Sequence, residues 1–293
     1  MNRRAWMAGT AAASLAPSVA GVPAGALAAE RAERRLATIE RRIGGRLGVA
    51  VVDTGTGRVL AYRAHERFPM CSTFKTLAVA AVLRRVELSQ EQLEHRIAYS
   101  EADLLAYAPI TREHVDDGAM TVAQLCAAAI EWSDNTAANL LLASLGGPAT
   151  VTRYARTLGD FTTRLDRTEP TLNTAIPGDP RDTTTPDAML ADLHAVIVGS
   201  KLLTPSRLRL EGWMIACKTG ATRLRSGLPR GWTVGDKTGT GENGTANDIA
   251  FIRRPARAPL LIAAYLTGAA AASGAARDAA LAEVGKVVGE AFS

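Results

Sequence analysis

The 293-residue sequence predicts an α+β fold: an antiparallel five-stranded sheet flanked by N- and C-terminal helices, with an all-helical lobe inserted between its strands. Three observations lead there. Strand-like runs occur near both ends of the chain, helical periodicity fills its middle, and an amphipathic stretch borders the sheet segments at each end.

Taken in order, residues 1–28 read as an export signal. Arg3 and Arg4 precede a small, apolar run, and Ala26-Leu27-Ala28 offers a cleavage site; the run is too short and too glycine-rich for a membrane span. The adjacent arginines raise the twin-arginine route beside the ordinary secretory one. Residues 29–43 repeat apolar side chains (Leu36, Ile39, Ile43) at helical spacing, and Gly44-Gly45 stops them. Residues 47–53 and 58–63 form a hairpin around Thr54-Gly55-Thr56-Gly57. Helical segments follow at 72–86, 101–107, 121–131, 134–145, 148–157 and 186–198. Strand-like runs lie near 231–237, 246–253 and 259–267, and a last helix carries Leu281, Val284 and Val288 on one face. The organisation expected is therefore a sheet lobe of 29–64 and 220–293 around a helical lobe of 65–219, with ligands bound in the cleft between them.

Composition narrows the function. Hydrophobic residues make up 47% of the chain and charged ones 22%, which suits a large core and not a disordered chain. The formal charge of +5 falls to +3 once Arg3 and Arg4 leave with the signal, and no Lys/Arg run points to nucleic acid. His65, His95, His114 and His194 show no H-x-H or H-E-x-x-H spacing, so no metal site is expected. Three cysteines are an odd count; Cys126, in an apolar stretch, reads as a small core residue.

Ser72-Thr73-Phe74-Lys75 opens an apolar helical run. Positions i and i+3 share a helix face, which sets the Lys75 ammonium beside the Ser72 hydroxyl, and a serine needs a neighbouring base to become a nucleophile. Ser133-Asp134-Asn135 precedes a helix, where a plain N-cap is the competing reading. Lys237-Thr238-Gly239-Thr240 ends a strand before a glycine turn, Gly239 to Gly244. A second Lys-Thr-Gly, at 218–220, follows a helix end with no strand before it and is read as a decoy. Any one of these tetrads or triplets is weak; S-x-x-K, then S-D-N, then K-T-G on a late strand is the joint signature of class A β-lactamases and penicillin-binding proteins.

On these residues the chain closely resembles class A β-lactamases over nearly all of its mature length. Arg167-Thr168-Glu169-Pro170-Thr171-Leu172-Asn173 is similar to the family's omega loop, here spanning 167–182, with Arg167 and Asp182 matching the pair that closes its neck. The resemblance implies β-lactam hydrolysis through a Ser72 acyl-enzyme that a Glu169-activated water, held with Asn173, releases. It implies oxyanion contacts from the backbone of Ser72 and Thr240, a proton acceptor that is Lys75 or Glu169 through water, and a proton path through Ser133 beside Lys237. Asn135 would bind the substrate's side-chain amide, Tyr107 would flank the cleft mouth, and Thr238, Gly239 and Thr240 would line it. Arg223 matches the alternative arginine for the substrate carboxylate, since Ala246 stands where many members carry one. Cys71 matches a cysteine that some members bridge to a partner, but Gly241 occupies the partner's place, and Cys217 stands where relatives often carry Asn or Asp. No cofactor is implied. The expected protein is a monomer acting on small-molecule β-lactams, without nucleic-acid or membrane association after signal removal, exported to the periplasm or the medium. A D-alanyl-D-alanine peptidase or transpeptidase would share the first three motifs and lack Glu169 with Asn173; a non-hydrolytic β-lactam receptor would need a signalling segment that the sequence beyond residue 28 does not offer.

Overall fold

The computed structural model describes residues 24–293, with side chains from Ala28 onward; residues 1–23 of the expected export signal lie outside the described residues. Helix α1 (Ala24–Ile43) leads into β1 (Arg46–Asp53) and β2 (Val59–Tyr62), and a two-residue strand, β3 (Phe68–Pro69), precedes a tight turn at Cys71–Thr73. A helical stretch follows: α2 (Phe74–Glu87), α3 (Pro109–Glu113), α4 (Val122–Glu131), α5 (Asn135–Leu145) and α6 (Ala149–Leu158). The short strands β4 (Arg96–Ala98) and β5 (Ala119–Thr121) pair within it. Then come β6 (Thr183–Thr184), α7 (Pro186–Leu193), α8 (Thr204–Ile215) and α9 (Leu224–Gly227). The chain closes with β7 (Thr233–Gly241), β8 (Thr245–Arg253), β9 (Leu260–Thr267) and α10 (Gly274–Phe292).

The main sheet has five strands in the order β2-β1-β9-β8-β7, all neighbours antiparallel, so the fold is the α+β architecture expected. Its faces explain why the last strands read as continuous apolar runs. In β9 every residue is buried, and side chains alternate between two cores: Leu261, Ala263 and Tyr265 meet the helical stretch, while Leu260, Ile262, Ala264 and Leu266 meet α1 and α10. A strand covered on both faces has no polar face to show. Strand β7 is left at the sheet edge, where it borders the catalytic cleft.

Several elements depart from expectation. Residues 101–107 are not a helix; Ser100 and Asp103 close a capping box around one tight turn, Glu101–Asp103, and the chain then extends at Leu104. Pro109 disfavours helical geometry at the residue before it, and Ala108 is accordingly non-helical (φ −146°, ψ 63°). Helix α8 escaped the periodicity because its apolar residues lie on two faces, Leu210 and Met214 buried but Leu208 55% exposed. The 186–198 segment is helical to Leu193 and continues through a wider π-type turn over His194–Val198. Strand β7 runs through Lys-Thr-Gly-Thr to Gly241, so Gly239 and Gly241 do not make the turn. They are glycine because the backbone opposite is close: a Cβ at 239 would lie 2.8 Å from the Met70 carbonyl oxygen, and one at 241 would lie 2.7 Å from that of Asn173.

Candidate active site

Ser72 sits in a tight turn, Cys71–Thr73, that runs directly into α2. The turn is fixed from three sides. Asn247 of β8 donates its amide to the carbonyls of Pro69 (2.9 Å) and Met70 (3.0 Å), the Met70 N–H donates to Asp182 O (2.9 Å), and Thr73 Oγ1 lies 3.2 Å from the Tyr265 hydroxyl. A left-handed φ of 46° at Cys71 bends the chain so that Ser72 enters the helix facing the cleft.

Glu169 Oε1 stands at the centre of the site. The Ser72 hydroxyl donates to it at 3.1 Å, and Lys75 Nζ lies 3.1 Å from the same oxygen. Lys75 thus stands beside Ser72 and meets it through Glu169; its Nζ also donates to Ser133 O (2.8 Å), Asn135 Oδ1 (2.7 Å) and, at 3.4 Å, Ser133 Oγ. Lys75 is fully buried, and desolvation holds its pKa below the usual lysine range against the opposing pull of Glu169.

Helix α5 carries two readings of Ser-Asp-Asn at once. Asp134 is the N-cap, accepting from the Ala137 N–H, and it also ties down Ile110 and Thr111. Ser133, at a left-handed φ of 59°, and Asn135 turn into the cleft on either side of it. Four residues on, Asn139 brackets the omega loop: its Nδ2 donates to Glu169 O and its Oδ1 accepts from Glu169 N, both at 2.9 Å. No role was assigned to Asn139 from sequence, although its i+4 spacing from Asn135 puts the two on one helix face. Asn247 was missed altogether, since one asparagine in a buried strand carries no pattern.

The loop neck closes as expected, with Arg167 Nε 2.5 Å from Asp182 Oδ2. Asn173 donates to Glu169 Oε2, its carbonyl accepts from Glu242 N–H at 2.9 Å, and its buried Oδ1 has no protein partner among the described residues.

From the sheet edge, Lys237 Nζ donates to Ser133 Oγ at 3.0 Å and to Thr238 O at 2.9 Å. Burial, and then the like charge of Lys75, push its pKa down to about 7. The 218–220 triplet lies on no strand and its Lys218 is exposed, as a decoy should be, but Thr219 Oγ1 is 2.5 Å from Thr238 Oγ1 and lines the cleft. Gly220 is required beside it, because a Cβ there would fall 1.6 Å from Asp236 Oδ2.

Arg223 is not a free cation at the cleft mouth. It is 7% exposed and donates to Gly239 O, Asn247 O and Thr240 Oγ1, each at 2.8 Å, while its Nε pairs with Asp278 at 2.8 Å. Tyr107, in a loop and not on a helix, is 49% exposed and donates its hydroxyl to Trp132 O. Cys71, Cys126 and Cys217 are all free and buried, and Gly241 does face Cys71, with its absent Cβ 2.7 Å from Cys71 Sγ. The resulting cleft of about 390 Å³ is lined by Ser72, Tyr107, Ser133, Asn135, Asn173, Thr219, Arg223, Thr238 and Thr240, with Lys75, Glu169 and Lys237 buried behind it.

Comparison with known proteins names the class. Residues 31–292 match the model of the beta-lactamase enzyme family. The chain is 50% identical over 260 residues to beta-lactamase CTX-M-8 of Citrobacter amalonaticus, covering 89% of each, and 55% identical over 236 residues to beta-lactamase AST-1 of Nocardia asteroides, covering 80% of this chain and 76% of that one. A structure of the last common ancestor of Gram-negative bacteria class A β-lactamase superposes with a TM-score of 0.88 at 60% identity, over 89% of this chain and 99% of the other. The chain belongs to the beta-lactamase enzyme family and is an enzyme of the class A type. No helix among the described residues is long and apolar enough to cross a membrane.

Proposed function

We propose that the protein hydrolyses β-lactams through a covalent acyl-enzyme on Ser72. The observation that carries this is the sharing of Glu169 Oε1 by the Ser72 hydroxyl and Lys75 Nζ, both at 3.1 Å. Ser72 Oγ attacks the lactam carbonyl, and its proton passes to the Glu169–Lys75 junction; the carboxylate accepts that hydroxyl directly, and the depressed Lys75 is the alternative base. Backbone N–H groups of Ser72 and Thr240 stabilise the oxyanion. As the C–N bond breaks, Ser133, hydrogen-bonded to Lys237, protonates the departing nitrogen. It is reprotonated from the Glu169–Lys75 junction through Lys75, 3.4 Å from Ser133 Oγ, which returns Glu169 to its carboxylate form.

Once Ser72 is acylated it has no proton to give, and Glu169 Oε1 becomes free to accept from a water. The unpartnered Asn173 Oδ1 is a second acceptor for that water, and Asn139 holds the loop backbone that aims both groups. Glu169 takes the water's proton, the hydroxide adds to the ester, and Ser72 leaves as the C–O bond breaks, taking that proton back from Glu169. Lys237, with Thr238 and Thr240, receives the substrate carboxylate, Gly239 gives it room, Asn135 binds the side-chain amide and Tyr107 flanks the entrance. Arg223, in the cleft lining, contributes its charge through Thr240. The enzyme works after export, as a monomer with the lobes 29–64 and 220–293 on one side of the cleft and 65–219 on the other.

Steady-state turnover of a chromogenic cephalosporin tests the reading. Many product molecules per enzyme are expected, with none from Ser72→Ala; a single stoichiometric burst from the wild type would assign the chain to a penicillin-binding or receptor role instead.

A further inference from the structure

A cavity of about 460 Å³, larger than the catalytic cleft, lies beneath the second half of the omega loop, and the two share no lining residue. Ala175, Ile176 and Pro177 border it from the loop, Arg46 from β1 and Arg67 from the segment before β3. Its size falls within the range of small-molecule sites.

The charges around it do not balance. Arg46 is paired with Glu66 at 2.8 Å and lies over the Phe68 ring, and Asp179 is paired with Arg181 at 2.8 Å. Arg67 uses one nitrogen, Nη1, on two neutral acceptors, Thr162 O (2.9 Å) and Thr183 Oγ1 (3.0 Å), and no carboxylate lies within ion-pair distance of it among the described residues. One guanidinium is left with its Nη2 and Nε donors unspent, the fork that matches a carboxylate. Beside it Ile176 keeps half of its surface in solvent, next to the exposed Pro177 and Gly178.

We infer that this cavity is a second, non-catalytic binding site for a small monocarboxylate with a flat apolar body, its carboxylate on Arg67 and its body against Ile176 and Pro177. One uncompensated positive charge selects a monoanion over a neutral or doubly charged ligand. The site touches catalysis through the chain itself, since Ala175 follows Asn173 by two residues and Asn173 holds Glu169. An occupant braces the loop against the sheet end without entering the cleft.

Benzoate is the probe and benzamide its neutral control, titrated into isotopically labelled wild-type protein and into the variants Arg67→Gln and Ile176→Asn. Benzoate is expected to saturate with a Kd of about 1 mM, as befits so small a ligand. It should shift amide signals at 175–179 and 267–268, and leave KM for a chromogenic cephalosporin unchanged. Arg67→Gln should weaken benzoate by roughly tenfold or more, the scale of one charged hydrogen bond, and benzamide should bind no better than benzoate does to that variant. Arg67 is exposed, so the fold survives the substitution; Ile176→Asn offers an independent loss through the apolar wall. Equal benzoate affinity in wild type and Arg67→Gln, equal affinity for benzamide, or competition with the cephalosporin would each overturn the assignment.

Discussion

The Ser72 hydroxyl donates directly to Glu169 Oε1 at 3.1 Å, so the proposed nucleophile and the carboxylate proposed to activate water are already in contact. Acylation removes that proton and leaves the oxygen to a water. Removing the carboxylate should therefore slow deacylation more than acylation, because Lys75 remains to take the Ser72 proton. General-base catalysis is worth about a hundred- to ten-thousand-fold. Glu169→Ala mixed with a penicillin should give one product per enzyme and an intact-mass adduct; continuous hydrolysis near the wild-type rate without adduct would refute the assignment.

Lys237 supplies the next test. Its pKa of about 7 means that the free enzyme loses this ammonium as pH rises through neutrality. A bound carboxylate stabilises the ammonium and raises its pKa again. The value of kcat/KM, which reports the free enzyme, should fall above pH about 7, whereas kcat should hold to higher pH. Lys237→Arg, which stays charged, should move the alkaline limb of the kcat/KM profile upward, and an unmoved limb would show that another group controls it.

How much of this was legible in the sequence varies with the kind of signal. The last strands were visible as apolar runs because both sheet faces are covered, and the Ser72, Ser133 and Lys237 motifs because each sets a chemical type at the end or start of a recognisable element. Contacts between distant segments were not. Nothing near Asn247 in sequence says that its amide will meet Pro69 and Met70, and the Thr219 hydroxyl gains its meaning only when a loop folds against Thr238. Arg223 was placed at the cleft, but nothing in the sequence shows that Gly239 O, Thr240 Oγ1 and Asn247 O converge on its guanidinium.

That burial changes what Arg223→Ala should do. A surface cation would be lost at the expense of substrate binding alone. Here the substitution also leaves Gly239 O and Asn247 O without that donor and Asp278 with the Thr222 hydroxyl but no ion-pair partner. Losing charged hydrogen bonds of this kind costs about 1.5–3 kcal/mol each in a buried setting. Both kcat/KM for penicillins and the thermal midpoint should fall, whereas Tyr107→Ala, at an exposed site, should leave the midpoint nearly unchanged. A variant with weakened kcat/KM and wild-type thermal stability would show that the arginine does not brace the strand.

The last prediction concerns a carboxyl remote from the cleft. Asp192 of α7 is 1% exposed, both of its oxygens lack a hydrogen-bond partner within the ordinary distance, and burial beside Asp160 pushes its pKa up to about 9. In the unfolded chain it returns to the ordinary carboxylate value near 4. Below that value both states hold the proton and the group is neutral to stability. Between about 4 and 9 only the folded state holds it, so stability falls with rising pH by up to about 1.4 kcal/mol per unit from this group; above about 9 the loss is complete. Asp192→Asn removes the titration and retains the shape. Urea unfolding at pH 5 and pH 8 should therefore show a smaller loss of stability in Asp192→Asn than in the wild type, with the variant gaining relative stability at pH 8. Identical losses in the two proteins would mean that Asp192 is ionised in the fold, and that a cation or water compensates it there.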